Sequence, residues 1–235
     1  AFSASKPGRP DSPREPHATY SARVTATPIR ANPEQIESRY FGVLTKIFNV
    51  GRFASQFDFR GNLDKLPDNL ENEDQWILAE FSDLLEKARV GYSGLDIYTA
   101  AQGIKTFSTG VFASHWLEMS KTRLYNGDTS ATWTLHRIFR DLLSILSPIC
   151  PFFTHHLSTT LYEKSAVDVD TFPEIPMSGT EEWTKMTDSL VNFNSAVWKA
   201  KKDAGISLAA PISGHTVPDE LKNIEPALVS MHKLE

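Results

Sequence analysis

Few residues in this 235-residue chain have the types and spacing that catalysis requires. His155-His156 offers ligand atoms for a metal, but adjacent residues on a helix point about 100° apart and cannot readily share one ion. No carboxylate or thiol set at ligand spacing joins them. We therefore expect His156 to be partly buried and His155 exposed, with no metal site. His115-Trp116-Leu117-Glu118 brings a histidine, an indole and an acid together, and a packed aromatic beside a satisfied histidine accounts for it. No nucleophile sits on the kind of sharp turn that presents one. Gly91-Tyr92-Ser93-Gly94 lacks the lysine that follows a phosphate-cradling loop. No catalytic residue is assigned, and no cofactor is expected in this chain.

The clearest charge feature is Trp198-Lys199-Ala200-Lys201-Lys202. On a helix Lys199 and Lys202 share a face, while Lys201 lies about 100° from its neighbours. Together they form one broad cationic end where lysines also complement the helix dipole. Spacing alone leaves a solvated terminus and an anion-binding surface equally open. Lys121 and Arg123 close an earlier helix in the same way. The net charge of −5 excludes a protein that is basic all over, so any nucleic-acid site must be a local stripe.

The elements that would position these residues read as helices. A hydrophobic fraction of 40% and a charged fraction of 23% are ordinary for a globular protein. No apolar run reaches the roughly 18 residues of a membrane span, and no secretory h-region is present. Cys150 is the only cysteine, which excludes an intramolecular disulfide and fits a reducing, cytoplasmic setting. Residues 1–31 are proline-rich and poor in aliphatic residues, and are expected to be an extended or disordered lead-in, with a conditional strand at 20–27.

Asn32-Pro33-Glu34 starts a first helix. A second carries Ile77, Phe81, Leu84, Leu85 and Ala88 on one face, with Gly91 as its stop. A third runs over 95–124, with Gly103 and Gly110 inside it for close helix–helix approach. Asp128 or Thr129 caps a fourth, which Pro148 and Pro151 break. Ser178-Gly179-Thr180-Glu181 is a capping box for a fifth, with Trp183, Met186, Leu190, Phe193, Val197 and Ala200 facing inward and Gly205 at its end. The expected fold is all-α, an antiparallel bundle of about five helices. Its expected organisation is a bundle over 32–165 and a helical extension over 166–235 packed on it.

Four segments in this order resemble a known family. Lys46-Ile47-Phe48-Asn49-Val50-Gly51-Arg52-Phe53 resembles the "K-hydrophobic-aromatic-N-x-x-R-F" opening of the anticodon-binding bundle in class Ia aminoacyl-tRNA synthetases for valine, isoleucine and leucine. Asp74-Gln75-Trp76-Ile77-Leu78 is similar to that family's "D-x-W-I-L". The segment from His115-Trp116-Leu117-Glu118 through Lys121-Thr122-Arg123-Leu124-Tyr125 resembles its "W-Y-hydrophobic-E-x-x-K-x-R-L". Ser147-Pro148-Ile149-Cys150-Pro151-Phe152-Phe153-Thr154 resembles its "H-P-hydrophobic-x-P-F-hydrophobic-T/S", with Ser147 where the family has histidine. Residues 193–208, with Trp198-Lys199-Ala200-Lys201-Lys202 and Gly205-Ile206-Ser207-Leu208, are most like archaeal-type valine enzymes. The likeness covers about 32–232, and residues 1–31 match nothing expected upstream of such a bundle.

The resemblance implies a tRNA-recognition module that grips and positions tRNA for a catalytic domain. The family's catalytic HIGH and KMSKS motifs do not occur in this sequence, so ATP and Mg²⁺ chemistry is implied for the parent enzyme only. Arg52, Lys121, Arg123, Lys199, Lys201 and Lys202 are the expected RNA contacts, phosphate-binding cations that fix register while other side chains read bases. The expected partners are tRNA and the parent catalytic domain, with no membrane, in a monomer. The alternatives are the equivalent region of an isoleucine or leucine enzyme, and a stand-alone helical module that binds protein through exposed aromatics such as Trp116 or Trp183.

Overall fold

The computed structural model describes residues 33–164 and 171–235, with side chains from residue 41 onward. The expected lead-in at 1–31 and the conditional strand within it lie outside the described residues. The chain divides into two units, Ala1–Phe41 and Gly42–Glu235, and the packing described below is that of the second.

Helical periodicity produces helices almost throughout. The order is α1 (Pro33–Ala54), α2 (Asn72–Ser93), α3 (Ile97–Thr106), a π-helical segment (Phe107–Trp116), α4 (Leu117–Tyr125), α5 (Thr129–Leu146) and α6 (Pro151–Tyr162). The short α7 (Thr180–Thr184), α8 (Thr187–Asp203), a 3₁₀ turn (Asp219–Ile224) and α9 (Glu225–His232) complete it. The fold is all-α. Five long rods dominate, namely α1, α2, the continuous α3–π–α4 rod, α5 and α8. The one β-type pairing among the described residues is an isolated bridge between Ile212 and Leu234.

Helix α5 is the centre. Every residue from 130 to 139 is buried, so this helix touches neighbours on all sides and no face of it is left to solvent. The Asp128 carboxylate caps it by accepting from the backbone N–H groups of Ser130 and Ala131 at 2.9 and 3.0 Å. It ends before Pro148, and Pro151 restarts the chain as the first residue of α6, where a missing N–H costs nothing.

Close packing explains two glycines. A Cβ on Gly103 would lie 3.1 Å from the Leu84 side chain, and one on Gly51 would lie 3.0 Å from Phe139. Gly110 has open space around it, so the close approach expected there is absent. Gly91 does not stop α2, which runs on to Ser93. Its bare backbone instead accommodates the Asp96 carbonyl, which a Cβ would approach to 3.0 Å.

The third rod departs from a simple α-helix. Over 107–116 its turns widen to the i→i+5 pattern, and the change re-aims a run of aromatic rings. Phe107 and Phe112 stack at 5.9 Å with planes 8° apart, and Phe112 and Trp116 stack at 5.4 Å and 12°. Phe81 of α2 joins the end of this ladder, 5.2 Å from Phe107.

Below the ladder lies a buried polar node. Asp74, at the start of α2, is fully buried. Its carboxylate accepts from Arg123 Nη1 and Nη2 at 3.0 and 2.7 Å, from Trp116 Nε1 at 3.1 Å and from Ser130 Oγ at 3.1 Å. Arg123 also reaches Glu73 at 2.8 Å and Asp128 at 3.0 Å. One carboxylate thus joins α2, the π segment, α4 and α5. Burial pushes the Glu73 carboxyl up from its ordinary value, against the pull of Arg123.

The C-terminal third differs from expectation in one respect. The expected fifth helix is split into α7 and α8, separated at Lys185 and Met186. The capping box does not form, because Gly179 takes the cap position in a left-handed conformation (φ 72°) and no side chain caps the helix. Trp183 is consequently only half-buried.

The node carries a stability prediction. Asp74→Ala leaves Arg123 with two carboxylates and Ser130 with Asp128 as acceptor, but strips the buried Trp116 indole of its acceptor, and is expected to cost about 3–5 kcal/mol. Asp83→Ala, which removes an exposed pair with Lys87, is expected to cost under about 0.5 kcal/mol. Urea unfolding of both variants measures the contrast.

Candidate nucleic-acid interface

The end of α8 is where the cationic sequence becomes a shaped surface. Lys199 and Lys202 are exposed, as their shared helical face requires, and neither makes an ion pair among the described residues. Gly205, in a left-handed conformation at φ 68°, ends the helix. The Gly205 N–H donates to the Lys202 carbonyl and the Ile206 N–H to the Lys201 carbonyl, both at 3.0 Å, a Schellman closure that only glycine enters without strain.

Beyond this closure the chain folds back, so that Ile206 and Leu208 face Trp198. Trp198, Lys199, Lys202, Ile206 and Leu208 line an open groove of about 520 Å³. Its floor is apolar and its rim carries two ammonium groups.

Lys201 belongs to the other side of the helix. It is fully buried, with Nζ donating to the Leu208 carbonyl at 2.8 Å and the His232 carbonyl at 2.7 Å. Burial, with Lys233 nearby, lowers its pKa. Lys201 is therefore a pin that fixes the groove wall to the end of α9, and the expected RNA contact at this position is corrected.

Behind Trp198 lies a second buried polar chain. The Asn194 amide bridges two imidazoles, with Nδ2 at 2.9 Å from His115 Nδ1 and Oδ1 at 2.7 Å from His232 Nε2. Because the amide nitrogen donates and the amide oxygen accepts, His115 Nδ1 is the acceptor and His232 Nε2 carries a proton. His232 Nδ1 is buried with no hydrogen-bond partner among the described residues. The Trp198 indole stacks on His115 at 5.4 Å and meets His232 edge-on at 5.7 Å. Burial holds both histidines below their ordinary pKa, and Lys201, His215 and His115 add to the effect that brings His232 to about 4.

The other expected contacts are dispersed. Arg52 is exposed in the last turn of α1. Lys121 is half-exposed and pairs with Glu118 at 2.7 Å. Arg123 has all five guanidinium N–H groups committed, to Asp74, Glu73, Asp128 and Ser130, so its assignment as a phosphate contact is corrected: no donor is left over for an outside ligand. The reading of His115-Trp116-Leu117-Glu118 as packing agrees with the structure, since Trp116 is fully buried and Glu118 turns outward to Lys121.

His155 and His156 are both exposed, which corrects the expected partial burial of His156. No group of three or more potential ligands capable of holding a metal occurs among the described residues. Trp198, Ile206, Leu208, Asn194 and His232 were not singled out as a group from sequence. The available signal was the i,i+4 spacing of Asn194 and Trp198, which puts an amide and an indole on one face.

Comparison with known proteins follows this geometry. Residues 74–216, more than half the chain, match the family described as the anticodon-binding domain of tRNA ligase. The chain is 33% identical over 202 residues to the valine–tRNA ligase of Aeropyrum pernix, covering 80% of this chain and 24% of that protein. It is 31% identical over 204 residues to that of Pyrobaculum aerophilum, covering 81% and 24%. Against the Nanoarchaeum equitans enzyme it is 28% identical over 199 residues, covering 82% and 24%. The chain thus spans about a quarter of the length of the relatives it matches.

Two stability outcomes follow from the geometry. Lys201→Ala strands the buried His232 carbonyl and the partly buried Leu208 carbonyl and is expected to cost about 1–3 kcal/mol, whereas Lys199→Ala and Lys202→Ala should stay within about 0.5 kcal/mol. For His232 the folded pKa lies below the unfolded one, so protonation favours the unfolded chain. Its contribution is complete above about pH 6.5 and is lost as pH falls toward 4. Between pH 7 and pH 5 the stability advantage of the parent over His232→Gln should shrink by about 1–2 kcal/mol, read from urea unfolding at each pH.

Proposed function

The chain belongs to the anticodon-binding domains of tRNA ligases, and on that premise we propose that it is the tRNA-recognition part of a valine–tRNA ligase. The match of residues 74–216 to that family is the observation that carries the reading. The relatives from Aeropyrum, Pyrobaculum and Nanoarchaeum bear the name valine–tRNA ligase, which favours valine over isoleucine or leucine. Sequence in tRNA is accessible to such a helical surface in the unpaired anticodon bases, and the flanking phosphates supply the affinity.

In this reading Lys199 and Lys202 hold phosphate at the groove, with Arg52 and Lys121 as outlying cations. Arg123 and Lys201 support the fold that presents them. Valine activation with ATP and Mg²⁺ belongs to a catalytic domain of the parent enzyme, for which this domain positions the tRNA. The parent acts as a cytoplasmic monomer. No described helix is long and apolar enough to cross a membrane. The rival reading, a protein-binding module using exposed aromatics, loses one of its two anchors, because Trp116 is fully buried.

Filter-binding titration with valine tRNA tests this function. Binding should appear at low salt and fall steeply as salt rises. Lys199→Glu combined with Lys202→Glu should weaken binding to all tRNAs alike and make the log–log salt slope shallower by roughly 1–2. Absence of binding at low salt contradicts the function, and a loss confined to one tRNA contradicts the phosphate role.

A further inference from the structure

We infer that the groove at the end of α8 holds one unpaired nucleotide, with its base against the Trp198 indole and its phosphates on Lys199 and Lys202. This rests on the tRNA function proposed above and assigns that function to one site. Two features of the groove require explanation together. Ile206 and Leu208 are 38% and 56% exposed, an apolar surface uncovered by the described residues, and the two lysines beside them have no ion-pair partner among those residues. An apolar ligand would leave the ammonium groups unanswered, and a free anion would leave the floor bare. A nucleotide satisfies both, because every base has an apolar π face and every linkage a phosphate. The volume of about 520 Å³ falls within the roughly 300–1,000 Å³ of sites that hold small molecules.

The indole is set in advance. His115 stacks on Trp198 with planes 27° apart and His232 meets it edge-on, while Asn194 fixes both imidazoles. Lys201 pins the opposite wall through the Leu208 carbonyl. A ring held in this way loses little conformational freedom when a base arrives, which favours affinity. The buried histidine–asparagine chain is thus the mount of a stacking platform. His115, Asn194, His232 and Lys201 are positioning residues, and Trp198 is the residue that touches the ligand.

The test uses the whole chain and the anticodon stem-loop of valine tRNA, with 2-aminopurine placed at each unpaired loop position in turn. Binding is expected to quench fluorescence strongly at one position. Trp198→Leu should weaken binding about 5- to 100-fold, remove that quench and leave the salt slope unchanged. A purely structural role would not separate the slope from the affinity in this way. If Trp198→Leu does not fold, Ile206→Ser and Leu208→Ser, both on the exposed floor, decide the matter: loss of the quench supports the inference and its retention overturns it. A folded Trp198→Leu variant that binds like the parent with its quench intact overturns the nucleotide site while leaving tRNA recognition standing. Failure of the parent chain to bind the stem-loop at low salt, where full-length valine tRNA does bind, likewise overturns the site alone. Failure with both RNAs overturns the function as well.

Discussion

The position of nearly everything else in the second unit traces to one buried carboxylate. Asp74 accepts from Arg123, Trp116 and Ser130, and each partner comes from a different helical segment. Taking a carboxylate and a guanidinium out of water costs several kcal/mol per ion, and only bidentate geometry with further hydrogen bonds offsets it. The cost makes the arrangement selective: any other register of α2 against α4 and α5 would leave a charge buried and unpaired. Holding Trp116 by its indole N–H fixes the rotation of the widened rod. That rotation in turn faces His115 toward α8, where it meets Asn194 and Trp198. The chain of dependence runs from Asp74 to the Trp116 indole at 3.1 Å, along the backbone to the adjacent His115, and from there to Asn194 at 2.9 Å and the Trp198 ring at 5.4 Å.

The lysines at the end of α8 show how one helix can serve framework and surface together. Helical spacing sends Lys199 and Lys202 to solvent and Lys201 inward. The inward lysine is tolerable because two backbone carbonyls, from Leu208 and His232, replace the water it gives up. The same stretch of sequence therefore builds the groove wall and charges its rim. Arg123 makes the equivalent point at α4, where a cation near a helix end is spent on three carboxylates and the Ser130 hydroxyl.

Much of this was legible from the residues in order. The start of α1 at Pro33, the Asp128 cap, the proline break between α5 and α6, and Gly205 at the end of α8 all depend on neighbours within a few positions, and local signals suffice for them. What escaped depends on partners far away in the chain. Lys201 looks like a surface lysine until the His232 carbonyl, 31 positions on, is brought beside it. Arg123 looks like a dipole-complementing terminus until Asp74, 49 positions back, is found against it. The π segment answers to the aromatic ladder and to Asp74, and no local pattern at 107–116 announces it. Gly91 and Gly110 depart from the local pattern for the same reason, since whether a glycine stops a helix or admits a neighbour depends on what lies opposite. The groove itself joins residues that are only a few positions apart, yet its apolar floor becomes visible only once the Schellman closure turns the chain back on Trp198.

In the proposed function, a framework of buried charge pairs within an acidic chain presents one local cationic and aromatic site to an anticodon. Hydroxyl-radical footprinting of valine tRNA by this chain tests it most directly. Protection of the anticodon loop, with the acceptor end left open to cleavage, is the expected result. Protection concentrated at the acceptor end, or spread evenly along the molecule, would contradict it.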